Sequence, residues 1–185
     1  MQKEAEESLI KSAAKGDHQA FRALVEFHQA FAYSLAHRYT NDEEETEDIT
    51  QEAFIKIWKN LHKYDPTFPF KAWLAKIVSN LCLDHLKSAR RKHEWGKTKA
   101  DETLMVADHH HPGHQLEAAE LKTIVAQLAE QLTEQQRAVF VLRDLEMMST
   151  EEVCQALSMS PGNMKSNLYY ARLKIKQGLA AFYKS

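Results

Sequence analysis

The sequence predicts an all-α protein of two small helical domains joined by a flexible linker. Three observations lead there. Ala, Leu, Glu, Gln and Lys are abundant, which favours helix, while only 5 glycines and 4 prolines occur in 185 residues, too few turn formers for many short strands. Apolar residues recur at three- and four-residue spacing along most of the chain. That spacing lapses over about residues 95–116, where Gly96, Pro112, Gly113 and the run DHHHPGH fall together. The expected boundaries are therefore residues 1–94, a linker over 95–116, and residues 117–185, with a modest core in each unit.

The elements follow in order. Leu9, Ile10, Ala13 and Ala14 predict a short first helix ending near Gly16. Asp17 is a good N-cap for a second, whose inner face carries Phe21, Leu24, Val25, Phe31, Leu35 and Tyr39. A third helix is expected from about Glu44 to Leu61, with Ile49, Ala53, Phe54, Ile57, Trp58 and Leu61 on one face and acids in its first turns. Pro66 and Pro69 punctuate a loop over 62–69. The fourth helix is expected from about Phe70 to Lys92, with Leu74, Ile77, Val78, Leu81 and His85 along its stripe. Beyond the linker come Leu121, Ile124, Val125 and Leu128, then a Thr133–Gln136 capping box opening a helix through about Asp144. A Ser149–Glu152 box opens a short helix to about Leu157, and Ser160-Pro161 starts the last helix.

The net charge of −2 is unremarkable, but its distribution is not. Residues 42–48 hold six acids in seven positions, residues 87–99 hold six basic side chains against Glu94, and the segment from Lys165 onward holds five basic residues and no acid. Such segregation predicts separate binding surfaces of opposite sign. Cys82 and Cys154 read as small buried hydrophobes of a reduced protein. The polar opening MQKEAEESLIKSAAKGD does not read as a secretory signal, and no apolar run approaches the roughly 20 residues of a membrane span. A cytoplasmic protein without membrane insertion is expected.

Residues 149–176 form the pattern of a helix-turn-helix, whose second helix enters the DNA major groove. The outer face of that helix carries Asn163, Lys165, Ser166, Asn167, Tyr169, Tyr170, Lys174 and Lys176, donors and aromatics suited to phosphates and base edges. An ordinary helical hairpin with a solvated face gives the same pattern. On the fourth helix, Trp73, Asn80, Asp84, Lys87 and Arg91 fall within about 60° of one another. An aromatic, an amide and cations on one stripe suit unpaired bases. Tyr64, Phe68 and Phe70 lie in or beside the adjacent loop. The alternative is that Trp73 is core and the rest a wet helix face.

These motifs resemble a known family. The segment from Asp48 to Trp58, DITQEAFIKIW, resembles region 2.2 of bacterial sigma factors. The segment from Phe70 to Asp84, FKAWLAKIVSNLCLD, resembles regions 2.3 and 2.4 of the extracytoplasmic-function (ECF, group IV) class, and Gly16–Phe21, GDHQAF, its first helix. Leu132–Arg137 and Glu152–Ser166 resemble region 4. The resemblance implies a transcription initiation factor of the sigma-70 family that binds core RNA polymerase, directs it to promoters and helps open the DNA. It implies docking of Asp48, Gln51, Glu52, Ile55 and Trp58 on the β′ clamp coiled coil, and of the second unit on the β flap. Base capture and tracking of the −10 element fall to Tyr64, Phe68, Phe70, Trp73, Asn80, Lys87, Arg90 and Arg91. Reading of the −35 element falls to Asn163, Lys165, Ser166, Asn167, Tyr169, Tyr170 and Arg172. Many relatives carry several arginines on this helix; here Lys165, lacking the bidentate fork of arginine, stands at such a position. An anti-sigma factor is implied as a partner, and no cofactor.

Other classes fit less. His109, His110, His111 and His114 could bind Zn or Ni, but no cysteine lies nearby. A metal hydrolase built on them and Asp108 is the nearest enzymatic idea, yet no G-x-S-x-G, phosphate loop or H-E-x-x-H occurs, so no enzyme is expected. A two-domain helix-turn-helix regulator that never engages polymerase would not need the DITQEAF surface.

Overall fold

Local capping chemistry sets where five of the helices begin in the computed structural model, which describes the backbone of residues 2–96 and 118–183 and the side chains of 4–88, 121 and 123–183. Helix α1 spans Gln2–Ala14. Asp17 then accepts hydrogen bonds from the amides of Gln19 and Ala20 and opens α2, His18–Thr40, which ends at a left-handed Asn41. Asp42 caps α3, Glu43–Asn60, by accepting from the Glu45 amide. A short 3₁₀ turn, Leu61–Lys63, leads into the proline-bounded loop. Helix α4 runs Phe70–Gly96, past the expected end at Lys92.

In the second unit, α5 spans Ala118–Glu130. The Thr133–Gln136 capping box opens α6, Glu134–Phe140. The expected continuation to Asp144 is not α-helical. The chain widens into a π-turn over Val141–Leu145, closed by the Glu146 amide donating to the Val141 carbonyl at 2.9 Å. A second capping box opens α7, Thr150–Leu157, and a left-handed Ser158 ends it. Ser160 accepts from the Asn163 amide, and Pro161 begins α8, Pro161–Phe182.

Leu24, Leu35, Tyr39, Ile57, Phe70 and Leu74 are nearly or wholly excluded from water and centre the first unit. A smaller cluster of Ala129, Leu132, Phe140, Ala171 and Ile175 joins α5, α6 and α8. The expectation of a modest core in each unit misses how they combine. Val139, Leu142, Met148, Val153 and Met164 of the second unit belong to the same continuous apolar cluster as Leu35, Ile57 and Val78 of the first. Helix α4 is the shared wall, packed by α2, α3 and α7. Its buried residues accordingly extend beyond the expected stripe to Ala72, Ala75, Ser79 and Cys82, a wider arc than one packing partner requires. His85, placed on that stripe from the sequence, is only partly buried and pairs with Glu45 at 3.0 Å.

Candidate polymerase and nucleic-acid interfaces

Three surfaces carry the chemistry. The first is the outer face of α3. Its inner face buries Thr46, Ile49, Ala53, Phe54 and Ile57, so helical geometry turns Asp48, Gln51, Glu52 and Ile55 outward. Ile55 is 52% exposed among acids, an apolar patch in a negative frame. Trp58 is half-buried, stacked on His18 at 4.9 Å and tilted against Phe21 at 4.8 Å. Its indole is thus fixed by α2 at the edge of this face.

The second surface lies where the 62–69 loop meets α4. Tyr64 packs against Trp73 at 5.2 Å and edge-on to Phe70 at 5.6 Å, and Phe70 meets Trp73 at 5.8 Å. The Tyr64 hydroxyl donates to the Phe68 carbonyl. Burial, with the negative field of Glu6, Glu7 and Asp65, pushes that hydroxyl up to about 12, which keeps it a donor. Asp65 Oδ1 accepts from the Thr67 amide and hydroxyl, and those bonds hold its carboxyl below the usual range. These bonds tie the loop to itself, with Phe68 42% exposed at its rim. Phe70 is buried, so it supports Tyr64 and Trp73 from beneath and offers no face to a ligand. Asn80 is exposed on the same flank of α4 as Trp73. Lys87 pairs with Glu134 at 3.3 Å. The side chains of Arg90 and Arg91 lie outside the described residues, as do the linker and its histidines. Among the described residues, no group of three or more His, Cys, Asp or Glu is placed to hold a metal ion.

The third surface is α8. Met164, Leu168, Ala171 and Ile175 face inward. Asn163, Lys165, Ser166, Tyr169, Tyr170 and Arg172 are exposed. Asn167 donates to the Asn163 side chain at 2.8 Å, which orients both amides. Tyr169 and Tyr170 meet edge-on at 5.4 Å. Arg172 makes a bidentate pair with Asp144 at 2.6 and 2.8 Å, and that bonding raises the guanidinium further above its ordinary value. It ties the π-turn to α8.

The sigma-70 region 2 family model matches residues 24–92, and the sigma-70 region 4 model matches residues 122–175. RNA polymerase sigma-H factor of Pseudomonas aeruginosa is 29% identical over 95% of this chain and 94% of its own length. ECF RNA polymerase sigma factor SigW of Bacillus subtilis is 28% identical over 92% and 94%. The chain belongs to the sigma-70 family, in its extracytoplasmic-function class. As a sigma factor it binds core RNA polymerase and directs it to promoters. The first two surfaces lie inside the region 2 match, and the helix-turn-helix lies inside the region 4 match as far as residue 175 of α8. The structure of CnrH in complex with the cytosolic domain of CnrY matches with a TM-score of 0.71 at 26% identity, covering 96% of this sigma factor and 98% of that chain. The sigma factor RpoE in complex with the anti-sigma factor NepR from Bartonella quintana shares the fold, with a TM-score of 0.65 at 20% identity, covering 86% and 96%. Among the described residues, no helix of this sigma factor is long and apolar enough to cross a membrane.

Two residues of consequence escape a reading of sequence alone. Lys76 lies three residues after Trp73 and four before Asn80, hence on their flank, and it lines the cavity beside Trp73. Its spacing could have found it. Arg137 sits in the region 4 motif, yet its side chain is buried, and no periodicity signals a buried arginine. Cys82 is buried as expected, whereas Cys154 is only partly so and lines the same cavity.

Proposed function

We propose that this sigma factor divides promoter engagement among the three surfaces. The exposed face of α3, with Ile55 set among Asp48, Gln51 and Glu52, docks on the basic β′ clamp coiled coil, and Trp58 closes its edge. The Tyr64, Phe68 and Trp73 rings, with Asn80 beside them, take an unpaired base of the −10 element. Stacking and hydrogen bonds there offset the few kcal/mol that unstacking a base costs. Lys87, Arg90 and Arg91 follow the non-template strand. Helix α8 enters the major groove of the −35 element, where Lys165 and Asn163 meet bases or phosphates. Arg172 positions that helix through Asp144. The second unit also meets the β flap. Melting is driven by binding energy without bond chemistry, so the protein is not an enzyme. It works in the cytoplasm with core polymerase and is held in check by an anti-sigma factor, as RpoE is paired with NepR.

The observation that carries this reading is the aromatic group at the loop–α4 junction, open at Phe68 and flanked by cations, on a chain that also holds a helix-turn-helix. Sequencing transcripts made in vitro by core enzyme plus this protein tests it. Discrete start sites preceded by a shared two-part element are expected. Transcription no more specific than that of core enzyme alone would overturn it.

A further inference from the structure

We infer that the free chain binds a small aromatic anion of the nucleoside-monophosphate class in the cavity between the 62–69 loop, α4 and the end of α7. The inference rests on the base-capture reading for the stacking role of Trp73, and adds to that site a ligand of its own. The cavity is about 430 Å³, within the roughly 300–1,000 Å³ of sites that hold small ligands. Lys76 Nζ donates to Ser158 Oγ at 3.0 Å and so bridges two walls of the cavity. A single nucleotide ends inside such a space, whereas a strand would have to continue past that bridge.

The lining has an aromatic part. Trp73 and Tyr64 lie 5.2 Å apart with their planes tilted by 41°, and buried Phe70 backs them edge-on at 5.8 and 5.6 Å. Rings packed from beneath are already ordered before a ligand arrives, so stacking on them costs little side-chain entropy. Aromatic faces of this kind accept any base. Gln155, from α7, brings an amide that both donates and accepts, which suits the edge of a base.

The lining also has a cationic part, Lys63 and Lys76. Lys76 uses one of its three donors on the neutral Ser158 hydroxyl, and among the described residues it pairs with no carboxylate. Lys63 reaches the Asn60 side-chain oxygen at 3.4 Å. One carboxylate, Asp65, shares the cavity, and its Oδ1 is taken by the Thr67 amide and hydroxyl at 2.9 and 2.7 Å. The balance is positive, with N–H donors left over, which is what a phosphate requires. A neutral base analogue satisfies one part of this lining and inorganic phosphate the other. A nucleoside monophosphate satisfies both.

The test is calorimetric titration of the full chain at low salt with adenosine 5′-monophosphate, with adenosine and with inorganic phosphate. The monophosphate should bind at least about tenfold more tightly than either half, raise the melting temperature and bind more weakly as salt is added. Trp73→Ala and Lys76→Gln should each weaken it about tenfold, with helicity checked by circular dichroism. Lys76→Gln keeps a donor for Ser158 and decides alone if Trp73→Ala loses helicity. No binding at about 1 mM monophosphate, adenosine or phosphate binding as tightly as the monophosphate, or unchanged affinity in either folded variant would overturn the inference. Failure of the base-capture reading looks different: Trp73→Ala would then leave holoenzyme binding to premelted promoter DNA unchanged.

Discussion

Arg137 Nη2 donates to the backbone carbonyl of Tyr39 at 2.6 Å, and its guanidinium lies over the Tyr39 ring at 5.8 Å from the centroid. Desolvation lowers this guanidinium below its ordinary value by more than the field of Glu130 raises it. The same burial drives the Tyr39 hydroxyl well above the usual phenol range, so it stays protonated against Ser79 at 3.4 Å. Arg137→Ala leaves both a cavity and an unpaired carbonyl, and should cost about 2–4 kcal/mol in chemical denaturation. Arg137→Met leaves the same carbonyl unpaired but keeps the stem and removes the desolvated charge, and should cost about 1–2 kcal/mol, less than Arg137→Ala.

His28 carries a pH dependence of definite sign. It is buried, bonds Glu6 at 2.7 Å and packs against Phe70 at 4.8 Å. Burial lowers its pKa more than Glu6 raises it. Below about 6.5 the unfolded chain takes a proton that the folded chain refuses. The contribution is thus complete above that pH and is lost as pH falls through the folded value. Melting temperature measured from pH 7.5 to 5.0 should decline, and His28→Gln should flatten the decline. An unchanged slope in that variant would assign the effect elsewhere.

Met147 stands at φ 55° and is 76% exposed. A left-handed backbone is unfavourable for a side chain of this kind, and burial offers no return. Met147→Gly should stabilise the protein by about 0.5–1 kcal/mol in a denaturant titration and leave core polymerase binding as it was.

Lys165 and Asn80 should separate cleanly in holoenzyme assays. Lys165→Ala should weaken upstream duplex binding and reduce the salt slope by about 1. Asn80→Ala should slow open-complex formation with polymerase binding intact. Equal loss of core binding in both would contradict the division of labour. Arg172→Ala and Asp144→Ala should each weaken duplex binding, and the double variant should add nothing, since one ion pair is removed in every case.

The helices were legible because their signals are local. Asp17, Thr133, Ser149 and Ser160 all cap the helices their positions foretell. The inward sets on α3 and α8 follow from periodicity, whereas the outward set Asp48, Gln51, Glu52 and Ile55 came from the family resemblance. What was hidden depends on contacts distant in sequence. Ala72, Ala75, Ser79 and Cys82 suit a surface or a core equally well, so only α4's second packing layer decides their burial. Phe70 read as a loop aromatic at the site, and His28, remote in sequence, makes it core together with the nearby Tyr64. The π-turn is opaque for a similar reason: Arg172, 28 positions from Asp144, helps set it.

The place of α4 as a common wall bears on synthesis. A ribosome delivers α4 well before α7, so the flank carrying Ala72 and Lys76 spends that interval without its roof. Ala72 offers one methyl and Lys76 a charge. Trp73 and the rest of the half-built core, still lacking Val139, Leu142 and Val153, lie open beside them, so a nascent chain pausing at that stage is prone to clump until its other half arrives.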